Sequence, residues 1–169
     1  MDNVTVTKDL ANKTLTIERV FDAPNEKLWR AYSEKELFEK WWGPEGWKTT
    51  VKEFNFTPGG RNHYGMKCLD ERQTDWYGQT SWGLMRYDTI SAPNSFSYKD
   101  YFADEDGNPT EGMPVLVNTV EFVEVDGKTK LVSRVVGETA EDIEKVVAMG
   151  MVEGYTSTTD RLQQLLTEL

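Results

Sequence analysis

Residues 114–136 read PVLVNTVEFVEVDGKTKLVSRVV, and residues 139–169 read TAEDIEKVVAMGMVEGYTSTTDRLQQLLTEL. The first stretch holds two runs rich in valine, threonine and phenylalanine. Asp126-Gly127 separates them, a dipeptide suited to the left-handed backbone of a tight hairpin turn. The second stretch changes period. Ile143, Val147, Met151, Tyr155, Thr158, Leu162, Leu165 and Leu169 recur at spacings of three and four, behind a cap formed by Thr139 with Asp142. That pattern predicts one amphipathic helix of about 28 residues, roughly 42 Å long at 1.5 Å per residue. Such a helix must bury its stripe, and the concave face of an antiparallel sheet is the economical place for it.

The remaining elements follow on either side. Strand-like runs lie near 47–56, 60–69, 75–88 and 95–103, with turns at Thr57-Pro58-Gly59-Gly60 and Asp106-Gly107-Asn108-Pro109. Residues 13–22 read as a further strand. Pro24 opens a short helix with Leu28, Ala31 and Tyr32 on one face. Ser33 with Glu36 has the spacing of a capping box for a second helix, which Gly43-Pro44 stops. The expectation is an α+β fold: one domain over residues 1–169, with six to seven mainly antiparallel strands. They curve around a long C-terminal helix, and two short helices follow the first strand. No internal repeat, low-complexity tract or linker interrupts it.

Charge and composition exclude several function classes. Nineteen basic residues against 29 acidic ones give a net charge of −10, a field that repels a phosphate backbone. No apolar run approaches the ~20 residues of a membrane-spanning helix, and the N-terminus lacks the regions of a signal peptide. A cytoplasmic protein binding neither nucleic acid nor membrane is expected, as a monomer or weak dimer. Cys68 and His63 are the only residues of their types, so an intrachain disulfide or multi-cysteine metal site cannot form. A nucleophile–histidine pair would need His63, which strand alternation sets on the opposite face from Cys68 and which a polar strand leaves exposed. Residues 104–111 contain acidic groups and a glycine but fail the spacing of a calcium loop. No catalytic residue, metal or cofactor is expected.

Several motifs together carry a resemblance. Arg19-Val20-Phe21-Asp22-Ala23-Pro24 with Leu28-Trp29 is followed by Trp41-Trp42-Gly43-Pro44 and by Phe54-Asn55-Phe56-Thr57-Pro58-Gly59-Gly60. Later come Tyr101-Phe102-Ala103-Asp104-Glu105-Asp106-Gly107-Asn108 and Glu153-Gly154 with Leu162 and Leu165-Leu166. From about residue 14 to 167 the chain resembles single-domain members of the Aha-type family, named for the activator of the 90-kDa heat-shock protein ATPase. That family belongs to the START-like, polyketide-cyclase-like helix-grip superfamily.

The resemblance implies a helix-grip fold with a cavity between helix and sheet. It favours Asn62, Tyr64, Met66 and Cys68 as inward. The expected cavity lining is Trp42, Tyr64, Met66, Trp76, Trp82, Tyr98, Phe102, Met151, Gly154 and Tyr155, suited to a small hydrophobic or aromatic molecule. Gly150 and Gly154 together forgo about 2 kcal/mol of helix propensity. Close approach of helix to sheet, or space for a cavity and a hinge at its mouth, are the two explanations. Two alternatives stand beside ligand binding. One is a chaperone contact, although only about a dozen residues precede the first strand read here, too few for the extra domain of the eukaryotic activators. The other is a cyclase- or isomerase-like cavity enzyme drawing on Tyr64, Tyr98, Arg86 or Glu121.

Overall fold

The Asp126-Gly127 turn forms as its residue types require, with φ of 51° and 80° at the two positions. It joins β7 (Val115–Val125) to β8 (Lys128–Val136) in register from Val125↔Lys128 to Val117↔Val136. The computed structural model describes residues 4–169. β2 (Thr14–Phe21) takes the other edge of β8, and β1 (Thr5–Asp9) pairs with β2. On the far side follow β6 (Ser95–Ala103), β5 (Thr80–Ser91), β4 (Arg61–Cys68) and β3 (Trp47–Phe54). The result is one antiparallel sheet in the order β1-β2-β8-β7-β6-β5-β4-β3. Register shifts between Val51 and Glu53 and between Tyr87 and Ile90 are bulges, which bend a strand and strengthen its twist.

The described residues thus contain eight strands, more than the six to seven expected. The added strand is β1, an edge strand whose five residues are all exposed and which therefore carries no buried alternation to read. The strand read from residue 75 begins at Thr80. The preceding stretch is a loop closed by Gly78 N–H on the Cys68 carbonyl at 2.9 Å. α1 (Asn25–Ser33) and α2 (Lys35–Trp41) are the two short helices, but the capping box is not formed. Ser33 donates its hydroxyl to the Trp29 carbonyl at 2.7 Å, and α2 starts from Glu34 in extended backbone.

The largest correction lies at the C-terminus. Two helices, α3 (Ala140–Ala148) and α4 (Met151–Leu166), replace the single expected one. Gly150 separates them at φ +93°, a left-handed conformation only glycine adopts without strain. Its N–H ends α3 on the Val147 carbonyl at 3.1 Å, and its own carbonyl starts α4 by accepting from Gly154 N–H at 2.9 Å. Thr139 caps α3 as expected, accepting from Asp142 N–H at 3.1 Å.

Two cores anchor these helices. Ile143 and Val146 of α3 pack with Leu15, Ile17, Leu116 and Val135. Leu162, Leu165 and Leu166 of α4 pack with α1, α2 and an aromatic group that includes Tyr32, Phe38, Trp41, Phe96 and Phe122. Trp41 is fully buried and donates its indole N–H to the Ala31 carbonyl at 2.9 Å. Arg161 of α4 donates to the Gly43 carbonyl at 2.6 Å and the Lys40 carbonyl at 3.1 Å, partnering groups that a helix end leaves open. Among the described residues no helix is long and apolar enough to cross a membrane.

A Cβ built at Gly150 or at Gly154 meets no atom within 4 Å, so substitution there isolates backbone conformation. Gly150→Ala should destabilise by about 1–2 kcal/mol through its positive φ. Gly154→Ala, inside α4, should stabilise by up to about 1 kcal/mol. Urea unfolding of the two variants should therefore show midpoints displaced in opposite directions.

Candidate ligand-binding cavity

Between the two cores, the part of α4 nearest Gly150 presents Met151, Gly154, Tyr155 and Thr158 to the sheet, and the space beneath them is not filled. Alternation supplies the floor. On β4, Tyr64 and Met66 point inward; on β6, Tyr98, Asp100 and Phe102 do so; β7 and β8 add Asn118, Val120, Ser133 and Val135. Trp42, Gly43 and Pro44 close one end. Two chambers of about 250 and 300 Å³ result, and both are bordered by Tyr64, Met66, Asp100 and Met151. An open depression of about 480 Å³ lies outside, against the helix break at Gly150, and shares Met66 and Gly154 with the first chamber.

Glycines make this room in two ways. The Tyr64 ring lies over its cross-strand partner Gly83, where a Cβ would come within 2.5 Å of it. At Gly154 the reverse holds. A side chain there would enter open space, so close approach of helix to sheet is not what this glycine serves.

Seven of the ten expected lining residues border the first chamber: Trp42, Tyr64, Met66, Tyr98, Met151, Gly154 and Tyr155. Phe102 and Trp82 border the second. The Trp82 indole, however, is committed to the opposite sheet face. It lies over Gly65, 5.3 Å from the His63 ring and 4.9 Å from the Lys52 ammonium. Trp76 lies outside both chambers, 51% exposed in the loop before β5 and 6.2 Å from Trp47 on the outer depression. His63, expected to be exposed, is buried. The hairpin tip at 104–108 folds over it, and its Nε2 lies 3.0 Å from the Asp104 carbonyl. The Asp104 carboxylate fastens that tip by accepting from the N–H groups of Asp106 and Asn108.

Asp100 is the residue that aromatic and apolar criteria overlooked. Alternation between Tyr98 and Phe102, both expected to line the cavity, already placed it on the inward face. Removal from water pushes its carboxyl up to about 7, and its carboxylate accepts no hydrogen bond and forms no ion pair among the described residues. Burial first, and the neighbouring Asp100 second, hold the Tyr64 and Tyr98 hydroxyls well above the usual 10. Tyr155 is pushed up to about 12, mainly by burial, and shares a 2.9 Å hydrogen bond with the Ser133 hydroxyl. All three phenols are therefore protonated at neutral pH. Neither chamber is bordered by lysine, arginine or histidine among the described residues, and no cluster of three or more metal-ligating side chains occurs among them.

The family model for "Activator of Hsp90 ATPase homolog 1-like protein" matches residues 22–167. A crystal structure of a Mycobacterium smegmatis protein is 36% identical, covers 96% of each chain and superposes with a TM-score of 0.86. A solution structure from Arthrobacter aurescens is 30% identical, covers 98% of this chain and 92% of that one, and scores 0.86. One from Staphylococcus epidermidis is 32% identical over 97% and 94% of the two chains, with a score of 0.82. No curated protein matches the chain.

The unpartnered carboxyl has a consequence for stability. Its folded pKa lies above its unfolded 3.8, so the folded state binds the extra proton between about 4 and 7. Stability is greatest below that window and is lost as pH rises through 7. Asp100→Asn should therefore be more stable than the parent at pH 8 by about 1–2 kcal/mol, allowing for partial exposure and the remaining amide. The gap should close towards pH 5 in parallel urea titrations.

Proposed function

The chain belongs to the Activator of Hsp90 ATPase homolog 1-like family, and from that premise we propose that it binds a small hydrophobic or aromatic molecule between α4 and the sheet. The observation that carries this reading is the unfilled space under Gly154, in a protein whose two flanking cores are closely packed. A helix face that only needed to cover the sheet would bury leucine or isoleucine there. Instead glycine, methionine and tyrosine form the roof, leaving volume and an adaptable wall. At about 250 and 300 Å³ the chambers lie just below and at the lower bound of ligand pockets, which run from about 300 to 1,000 Å³. Entry is from the outer depression at the helix break, where Met149 is 54% exposed.

A neutral bicyclic probe, 2-naphthylmethanol, tests the reading by isothermal titration. The parent protein should bind one equivalent. Gly154→Phe, which fills the space with a ring, should bind at least tenfold more weakly while keeping the parent's circular dichroism. Equal affinity of the two would place the probe elsewhere and contradict the proposal.

A further inference from the structure

We infer that the ligand of this cavity carries a basic nitrogen, whose protonated form pairs with the Asp100 carboxylate where the two chambers meet. This rests on the ligand-binding reading above and adds the chemical class of the ligand.

Asp100 borders both chambers, and β6 turns it to the same face as Tyr98 and Phe102, which sets its carboxyl towards a molecule in either one. Several other carboxylates have partners: Asp160 is held by Arg19 at 2.7 Å, Glu53 by Arg61 at 2.9 Å and Glu18 by Lys130 at 3.0 Å. Asp100 has none within the described residues. Asp100 is half-buried rather than fully withdrawn from water. A partly desolvated carboxylate without a partner still destabilises the fold, and a leucine or asparagine at this position would not carry that penalty. The missing partner is therefore supplied by what enters.

Three further observations select a cation. Among the described residues the lining holds no lysine, arginine or histidine, so a fatty acid or other carboxylate would bring a second negative charge beside Asp100 with none of these to neutralise either. Trp42, Tyr64 and Tyr98 border the same chamber, and aromatic faces attract an alkylammonium group through their quadrupoles. The net charge of −10 raises the local concentration of cations over anions around the protein. A hydroxyl can donate one hydrogen bond to Asp100 but leaves the charge unneutralised.

Three probes with one bicyclic body separate the classes: 2-naphthylmethylamine, 2-naphthylmethanol and 2-naphthoate, titrated at pH 8 into the parent protein and into Asp100→Asn. The parent should bind the amine at least tenfold more tightly than the alcohol, with the carboxylate weakest. Asp100→Asn should lose the preference for the amine and bind amine and alcohol alike. Equal binding of amine and alcohol by the parent would overturn this inference while leaving the cavity reading intact. So would an amine preference that survives in Asp100→Asn. Failure of all three probes to bind would overturn both.

Discussion

The open space in this protein depends on how its C-terminal helices are held. α3 is fastened to the sheet by Ile143 and Val146, and the far half of α4 by Leu162, Leu165 and Leu166. Between these two anchors the chain cannot settle further onto the sheet without compressing cores that already exclude water. Protein interiors resist such compression, so small residues placed between the anchors leave a void rather than a collapsed contact. Arg161 adds a polar constraint to the apolar ones. By donating to carbonyls at the end of α2 it fixes α4 against the Trp41-Trp42-Gly43-Pro44 corner, and that corner forms the end wall of the cavity.

Polar groups inside the cavity divide into satisfied and unsatisfied ones. Ser133 and Tyr155 share a hydrogen bond, and Thr159 of α4 accepts from Arg19 at 2.9 Å. Asp100 stands apart from these pairs. Its position is dictated by β6, where a strand that turns Tyr98 and Phe102 inward must turn Asp100 inward too. A charged group in that place shapes the electrostatics of both chambers, because no lysine, arginine or histidine lies among the described residues that border them. Gly150 separates the rigid anchor of α3 from the roof of the cavity, and the outer depression opens beside it.

Much of the fold was legible in the residues, and the exceptions share a physical reason. Asp126-Gly127 could be read because both turn positions need positive φ, which few residue pairs tolerate. The break at Gly150 could not, because α3 and α4 face the same sheet and keep one apolar period across the interruption. β1 was missed because an all-exposed edge strand has no buried face to alternate with. His63 looked solvent-exposed from its polar neighbours alone; only the tertiary fold brings the hairpin tip over it. In the cavity, alternation grouped Tyr64 with Met66, the family resemblance chose the inward face, and aromatic type pointed to Tyr98 and Phe102. Residue type misled for Trp76, an aromatic on a loop, and for Asp100, an inward residue passed over because it is acidic. Gly154 was visible as a helix glycine, but only the space beneath it distinguishes room for a ligand from close packing.

Methyl resonances give the most direct view of whether this space takes a ligand. Met66 and Met151 border both chambers, whereas Met85 is buried among Asn62 and Tyr87 outside them. The measurement is a titration of methyl-¹³C-methionine-labelled protein with 2-naphthylmethanol, followed by proton–carbon correlation spectra. The account predicts ring-current shifts of the Met66 and Met151 methyl groups that saturate together, with Met85 unmoved. Saturable shifts at Met149 alone, or no shift at Met66 and Met151, would contradict it.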